Sequence, residues 1–161
     1  MASSFVGKVQ VSLYKNDIVV KAGTEFLRIA TIDEKYPDYQ RVIPKSSAIA
    51  LLLDRMLFLQ AVRRVKVVSD GESPSIAMEL SEGKMTLSAK SENFGEASDF
   101  LDVDYSGEPV RIGFNPGYLI DALLSIRSET VKMEMGAGIH PTVFRPTNND
   151  RHLALVMPLV A

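Results

Sequence analysis

The sequence predicts an α+β fold built on a duplicated unit: one helix, then a strand, a turn and two more strands. Three observations predict it. Two stretches carry helical periodicity, one from about Ala48 to Lys66 and one opening at Pro116. Each is trailed by three short strands bounded by turn residues. Finally, Ile76-Ala77-Met78-Glu79-Leu80 and Val131-Lys132-Met133-Glu134-Met135 occupy equivalent places, the mark of an internal repeat.

The elements follow in order. From Lys8 to Leu13 the chain alternates, with Val9, Val11 and Leu13 facing one way and Gln10 and Ser12 the other. That is a half-buried strand. Asn16-Asp17 turns it into Ile18-Val19-Val20, and Ala22-Gly23 turns that into Phe26–Ala30. No helix precedes these strands except a remnant in Met1–Phe5. A sheet of about 40 residues cannot bury one face alone, so this piece reads as part of a domain.

Tyr36-Pro37-Asp38-Tyr39-Gln40-Arg41-Val42-Ile43-Pro44 connects it to the rest. The bracketing prolines exclude a helix interior and a central strand. Two tyrosines, an arginine and two β-branched residues are unusual for a plain linker. Taken alone, the stretch reads as a linker that packs its aromatics on a neighbouring sheet.

Ser46 or Ser47 can cap the first helix. On a helical wheel Ala50, Leu53, Leu57, Phe58, Ala61 and Val65 share a wide apolar face, with Arg55, Arg63 and Lys66 opposite. Leu52, Met56 and Leu59 fall on the polar arc, however, and Asp54 and Arg64 on the apolar side. Either the helix starts later than Ala48, or it bends, or some apolar surface is exposed. Strands Ile76–Leu80, Met85–Ala89 and Ala97–Tyr105 follow, with Glu82-Gly83 as the first turn. The pattern then restarts with a strand, Val110–Phe114. Asn115 is a good N-cap and Pro116 suits the first helical position. Leu119, Ala122, Leu123 and Ile126 form the apolar stripe. Strands Val131–Met135, Thr142–Arg145 and Leu153–Leu159 close the chain, through turns at Gly136-Ala137-Gly138 and Asn148-Asn149-Asp150.

The chain of 161 residues suffices for one domain, or one domain plus a fragment. Its 18 basic and 20 acidic residues leave a net charge of -2, which argues against gripping DNA by mass neutralisation of phosphates. A locally basic face remains compatible with that balance. The absence of cysteine excludes disulfides, Cys-ligated zinc and thiol catalysis. No apolar run reaches the roughly 18 residues of a membrane span, and Met1–Ser4 lacks the features of a secretory signal. A cytoplasmic protein is the expectation.

No catalytic constellation emerges. Asp102 and Asp104 alternate on one predicted strand with Phe100, and Asp99 points to the other face. A carboxylate pair with no further ligands reads as a solvated acidic edge that discourages stray sheet pairing. His140 and His152 have no neighbouring nucleophile or metal-ligand spacing. No cofactor is expected.

Four stretches, in order, resemble the bacterial β sliding clamp, the processivity subunit of DNA polymerase III. They are the Tyr36–Pro44 connector, Asp102–Gly107, Gly113–Leu123 and Ala154–Leu159. The resemblance runs from about Lys8 to the end. It implies a DNA-clamp fold, with two helices packed on antiparallel sheets. Residues 1–44 would be the end of the family's second domain and 45–161 its third. The family's first domain and most of its second have no counterpart.

The resemblance also implies a non-catalytic function: encircling double-stranded DNA and docking partners through short peptides. Those partners would be the DNA polymerase III alpha subunit, the clamp loader and other DNA-handling proteins. The matching peptide-pocket positions are Pro37, Arg41, Val42, Leu155, Val156, Met157, Pro158 and Leu159, with Asn115 and Tyr118 at the margin. Val160 and Ala161 depart from the family's basic-then-apolar ending. Arg55, Arg63, Lys66 and Arg127 are the candidate DNA-facing cations, and Arg64 joins them only through the resemblance. Val67, Val68, Glu96, Asp99, Asp102 and Asp104 match the subunit interface. The full-length family forms a homodimer; this chain is expected to be a monomer or weak dimer. Two rivals stand beside this reading: a clamp-like peptide adaptor that does not encircle DNA, and an enzyme using a metal on the acidic strand.

Overall fold

A computed structural model describes residues 8–36, 38–44, 46–69, 74–136, 140–149 and 151–159. The chain forms two compact units, Met1–Asp38 and Tyr39–Ala161. Pro37, Ala137, Gly138, Asp150, Val160, Ala161 and the Met1–Phe5 remnant lie outside the described residues.

The first unit is a three-stranded antiparallel meander: β1 (Gln10–Leu13), β2 (Asp17–Ala22) and β3 (Glu25–Ala30). Gly23 turns β2 into β3 at φ +60°, a left-handed conformation that glycine adopts without a Cβ penalty. The register sets two apolar rows on one face, Val11–Val20–Leu27 and Leu13–Ile18–Ile29. On the other face, Arg28 donates to Asp17 at 2.6 Å and thereby holds its carboxyl below the usual carboxylate range.

The second unit opens with a short 3-10 turn, Tyr39–Arg41. The first repeat is β4 (Ile49–Asp54), α1 (Arg55–Lys66), β5 (Ile76–Ser81), β6 (Lys84–Ser91) and β7 (Gly95–Asp102). The second is β8 (Val110–Phe114), α2 (Pro116–Ser125), β9 (Thr130–Met135), β10 (Thr142–Pro146) and β11 (Ala154–Val156). They build two four-stranded antiparallel sheets, β7-β6-β5-β8 and β11-β10-β9-β4. Each repeat therefore sends its leading strand into the other repeat's sheet. This exchange ties the halves together by backbone hydrogen bonds as well as by the core.

The strand β4 corrects the helix expected from Ala48. Alternation governs here: Leu51 and Leu53 are buried, whereas Ala50, Leu52 and Asp54 are exposed. Six residues pair with β9, from Ile49 opposite Met135 to Asp54 opposite Thr130. The helix starts at Arg55, and its cap is Asp54 rather than Ser46 or Ser47. The Asp54 carboxylate accepts from the N–H groups of Met56 and Leu57 at 2.8 and 2.9 Å. The conflict on the wheel resolves accordingly. Leu59 and Val62 join Phe58, Ala61 and Val65 in the core, and Leu57 faces out.

The second helix matches its signals. Asn115 accepts from Gly117 N–H at 2.8 Å, Pro116 is the first helical residue, and Leu119, Ala122, Leu123 and Ile126 are buried. Two strands are shorter than expected. β7 ends at Asp102, because Val103 N–H bonds Gly83 O and Gly83 N–H bonds Tyr105 O, drawing the chain onto the β5–β6 turn. Asp104 thus lies beyond the strand. β11 ends at Val156, and Pro158 has no N–H to continue a ladder. Leu159 then makes one isolated antiparallel bridge to Gly113 on β8.

The two helices pack on each other, and α1 also contacts β4, β6 and β7. The core combines Phe58, Leu59, Leu119 and Leu123 with Met78, Met85, Leu87, Met133 and Phe144 from the sheets. Phe58 and Phe144 meet with ring centroids 6.3 Å apart. Each such side chain, fully buried, contributes about 1.5–3 kcal/mol.

Candidate functional site

Three groups of residues are candidates. The first centres on the C-terminal segment. Val156 is buried between β10 and the core, Leu155 is half-buried, and Pro158 is buried. Met157 and Leu159 alternate outward, 55% and 40% exposed. β11 packs against α2, and Leu159 N–H donates to Gly113 O at 2.8 Å, two residues before Asn115. The fold therefore brings Leu155–Leu159 together with Asn115 and Tyr118, and the Tyr118 ring stands exposed. Asn115 spends its side-chain oxygen on the helix cap, which makes it a structural residue first. Arg41 and Val42 lie on a separate element, the 3-10 turn and the residue after it, and both are exposed. An apolar groove of about 860 Å3 opens beside Pro158 and Leu159, between Ala48–Ala50 of one sheet and Val110–Gly113 of the other. Val42, Tyr118 and Met157 do not line it.

The second group is cationic. Arg63 and Lys66 are exposed on α1, and Arg127 is exposed just past α2. Arg55 is tethered, its Nε donating to Ser128 O at 2.7 Å. Arg64 is exposed but turned sideways, its Nε bonded to Asp99 Oδ2 on β7 at 2.6 Å. Arg63 and Lys66 lie on α1 and Arg127 just past α2, so the exposed cations belong to the helix pair.

The third group runs along the edge strand β7. Val67 caps α1, its N–H bonding Arg64 O while Val68 N–H bonds Val65 O; the Val67 side chain is exposed and Val68 is half-buried. Asp99 and Glu96 are both neutralised, Asp99 by Arg64 and Glu96 by Lys90 at 2.7 Å. Lys90 holds the Glu96 carboxyl below its ordinary range. Asp102 is exposed opposite Lys84, whose ammonium sits 4.1 Å over the Phe100 ring. The strand is therefore less acidic in effect than its sequence. Asp104 is exposed on the loop that follows.

Glu134 on β9 is mostly buried and bound by Lys132 Nζ at 2.6 Å and Arg145 Nε at 2.9 Å. The hydrogen bond from Lys132, reinforced by Arg145 and opposed by burial, holds its carboxyl below the ordinary range. The signal was the alternation of Lys132 and Glu134 with Val131, Met133 and Met135, which assigns them a face but no partner. Among the described residues no group of three His, Cys, Asp or Glu could hold a metal ion. No helix among them is long and apolar enough to cross a membrane.

The family model of the DNA polymerase III beta subunit, C-terminal domain, matches residues 40–160. The beta sliding clamp of Caulobacter vibrioides is 37% identical over 137 residues, covering 85% of this chain and 37% of that protein. Among solved structures, a DnaN sliding clamp from Bartonella birtlesii bound to griselimycin superposes with a TM-score of 0.86 at 30% identity. It covers 96% of this chain and 42% of its own. A beta sliding clamp from Caulobacter crescentus gives 0.85 at 32% identity, covering 95% and 41%. The chain spans well under half the length of these relatives.

Proposed function

The chain belongs to the DNA polymerase III beta subunit family, the sliding clamps, and we propose that it serves as the C-terminal part of such a clamp. In this role it is a non-catalytic processivity element that helps hold a replicative polymerase on double-stranded DNA. Residues 1–44 are assigned to the end of a second clamp domain and residues 45–161 to the third.

The observation that carries this reading is the placement of two opposite chemistries on one domain. Exposed cations project from the α1–α2 pair, while exposed apolar side chains cluster at the C-terminal segment and the start of α2. The cations Arg55, Arg63, Arg64, Lys66 and Arg127 suit phosphates contacted loosely and without sequence preference. Few contacts are what a sliding surface needs. The peptide surface comprises Arg41, Val42, Asn115, Tyr118, Leu155, Val156, Met157, Pro158 and Leu159. Its logic is an apolar platform with an adaptable methionine and a few polar groups for orientation. Clamp loader and polymerase subunits are the partners this surface suits.

Ring closure is assigned to Val67, Val68 and the open edge of β7. An edge strand offers unpaired backbone groups, and Asp102 and Asp104 add a negative charge suited to a basic partner edge. On that basis the chain alone is a monomer or weak dimer, to be measured by light scattering on a size-exclusion column.

Titration of a labelled clamp-binding peptide against the wild-type chain and Met157→Ala tests the reading. Weaker binding to the variant is expected, by about fivefold for loss of one partly exposed apolar contact. Equal affinity would remove the C-terminal segment from the site.

A further inference from the structure

The sheet β11-β10-β9-β4 carries a row of cross-strand neighbours, Ala50, Glu134, Val143 and Leu155, on the face opposite Val131, Met133 and Met135. Val143 is buried yet stands outside the main core cluster. Over it opens a small pocket of about 180 Å3, lined by Pro44, Ser46, Ser47, Glu134, Val143 and Arg145.

The charge in this pocket is settled by its hydrogen bonds. Lys132 occupies one oxygen of the Glu134 carboxylate and Arg145 Nε the other. Two cations on one anion leave the trio with a net charge of +1. The two terminal nitrogens of Arg145 make no further hydrogen bond among the described residues. They form the planar fork that matches a carboxylate. Ser46 and Ser47 are exposed residues at the rim, and each brings a hydroxyl donor.

We infer that this pocket is a carboxylate-binding subsite, receiving an acidic side chain of the same peptide whose apolar residues dock at Leu155. The inference rests on the peptide-docking reading above. Geometry favours a peptide over a free anion. Glu134 and Leu155 are two strands apart on one face, a separation of about 10 Å. An extended peptide covers that distance in about three residues. Charge sets the sign: a neutral residue gains nothing there, and a basic one meets the positive trio.

The test uses labelled decapeptides with an apolar pair and one Glu, two or three residues to either side, each matched by its Gln counterpart. Fluorescence anisotropy is measured on the full chain, on Arg145→Gln and on Glu134→Gln. For one placement of Glu, the wild type should prefer the acidic peptide about fivefold, the value of a partly exposed ion pair. Arg145→Gln should abolish that preference while still binding the Gln peptide. Glu134→Gln, which raises the local charge to +2, should widen it. Equal affinity for Glu and Gln peptides at every placement would overturn the subsite and leave the apolar docking surface standing. No binding by any peptide would overturn both.

Discussion

Arg64 on α1 and Asp99 on β7 form a 2.6 Å ion pair, joining the cationic helix surface to the edge strand. The arginine side chain is 58% exposed and the aspartate 22%, so the pair contributes under about 1 kcal/mol to stability. Its larger effect is on availability, because a guanidinium held by Asp99 is partly withdrawn from any phosphate. Asp99→Asn is therefore expected to tighten binding to a random-sequence duplex and to steepen the log–log salt dependence by up to about one. Anisotropy titrations at several salt concentrations check this. An unchanged slope would mean that Arg64 does not reach the duplex.

The strand assignment of β4 has a sharp consequence. Leu51 and Leu53 are 3% exposed and Leu52 is 64% exposed. Leu51→Ala and Leu53→Ala should each cost about 2–4 kcal/mol, and Leu52→Ala under about 0.5 kcal/mol. Urea unfolding measures all three.

Asp54 and Asn115 cap the two helices with equivalent geometry. Replacing either by Ala should cost about 1 kcal/mol. For Asn115 this cost must be measured before any loss of peptide affinity is attributed to contact.

Acid should weaken the Glu134 cluster. The folded-state pKa of Glu134 is depressed, so its contribution is fully present above the unfolded value near 4.5 and is lost as pH falls through the folded value. Glu134→Gln should destabilise the chain by about 1 kcal/mol at pH 7 and have little effect once pH lies below the folded pKa. Denaturant midpoints of the two proteins across pH 7 to 3 should converge.

Thr142 is fully buried, and its hydroxyl has no hydrogen-bond partner among the described residues. It lies opposite Val156 in the ladder. Thr142→Val should be neutral or stabilising by up to about 1 kcal/mol, since it removes an unsatisfied polar group at nearly constant volume.

Much of the fold was legible because local chemistry and tertiary role agreed. Asn115-Pro116 marked the start of α2, and Gly23 and Gly83 marked turns that the structure makes at positive φ. The α+β class and the repeat followed from such signals. The region from Ile49 to Asp54 misled because the unbroken apolar run Leu51-Leu52-Leu53 has no period of its own and merges with the helical pattern that follows it. Only pairing with β9, a partner distant in sequence, selects the strand. The true repeat thus begins one strand earlier than the sequence suggested. The ion pairs were illegible for the same reason. Arg64–Asp99 and Glu134–Arg145 depend on register between distant elements.

The proposed function requires one domain to present separate surfaces to peptide and to DNA. Amide chemical-shift mapping on the isotopically labelled chain tests it most directly, adding a clamp-binding peptide in one titration and a 20-base-pair duplex, about two helical turns, in another. The peptide should shift Val42, Tyr118, Leu155, Val156, Met157 and Leu159. The duplex should shift Arg55, Arg63, Lys66 and Arg127 and leave the first set unmoved. Shifts from both ligands converging on one set, or peptide shifts confined to the helix cations, would contradict it.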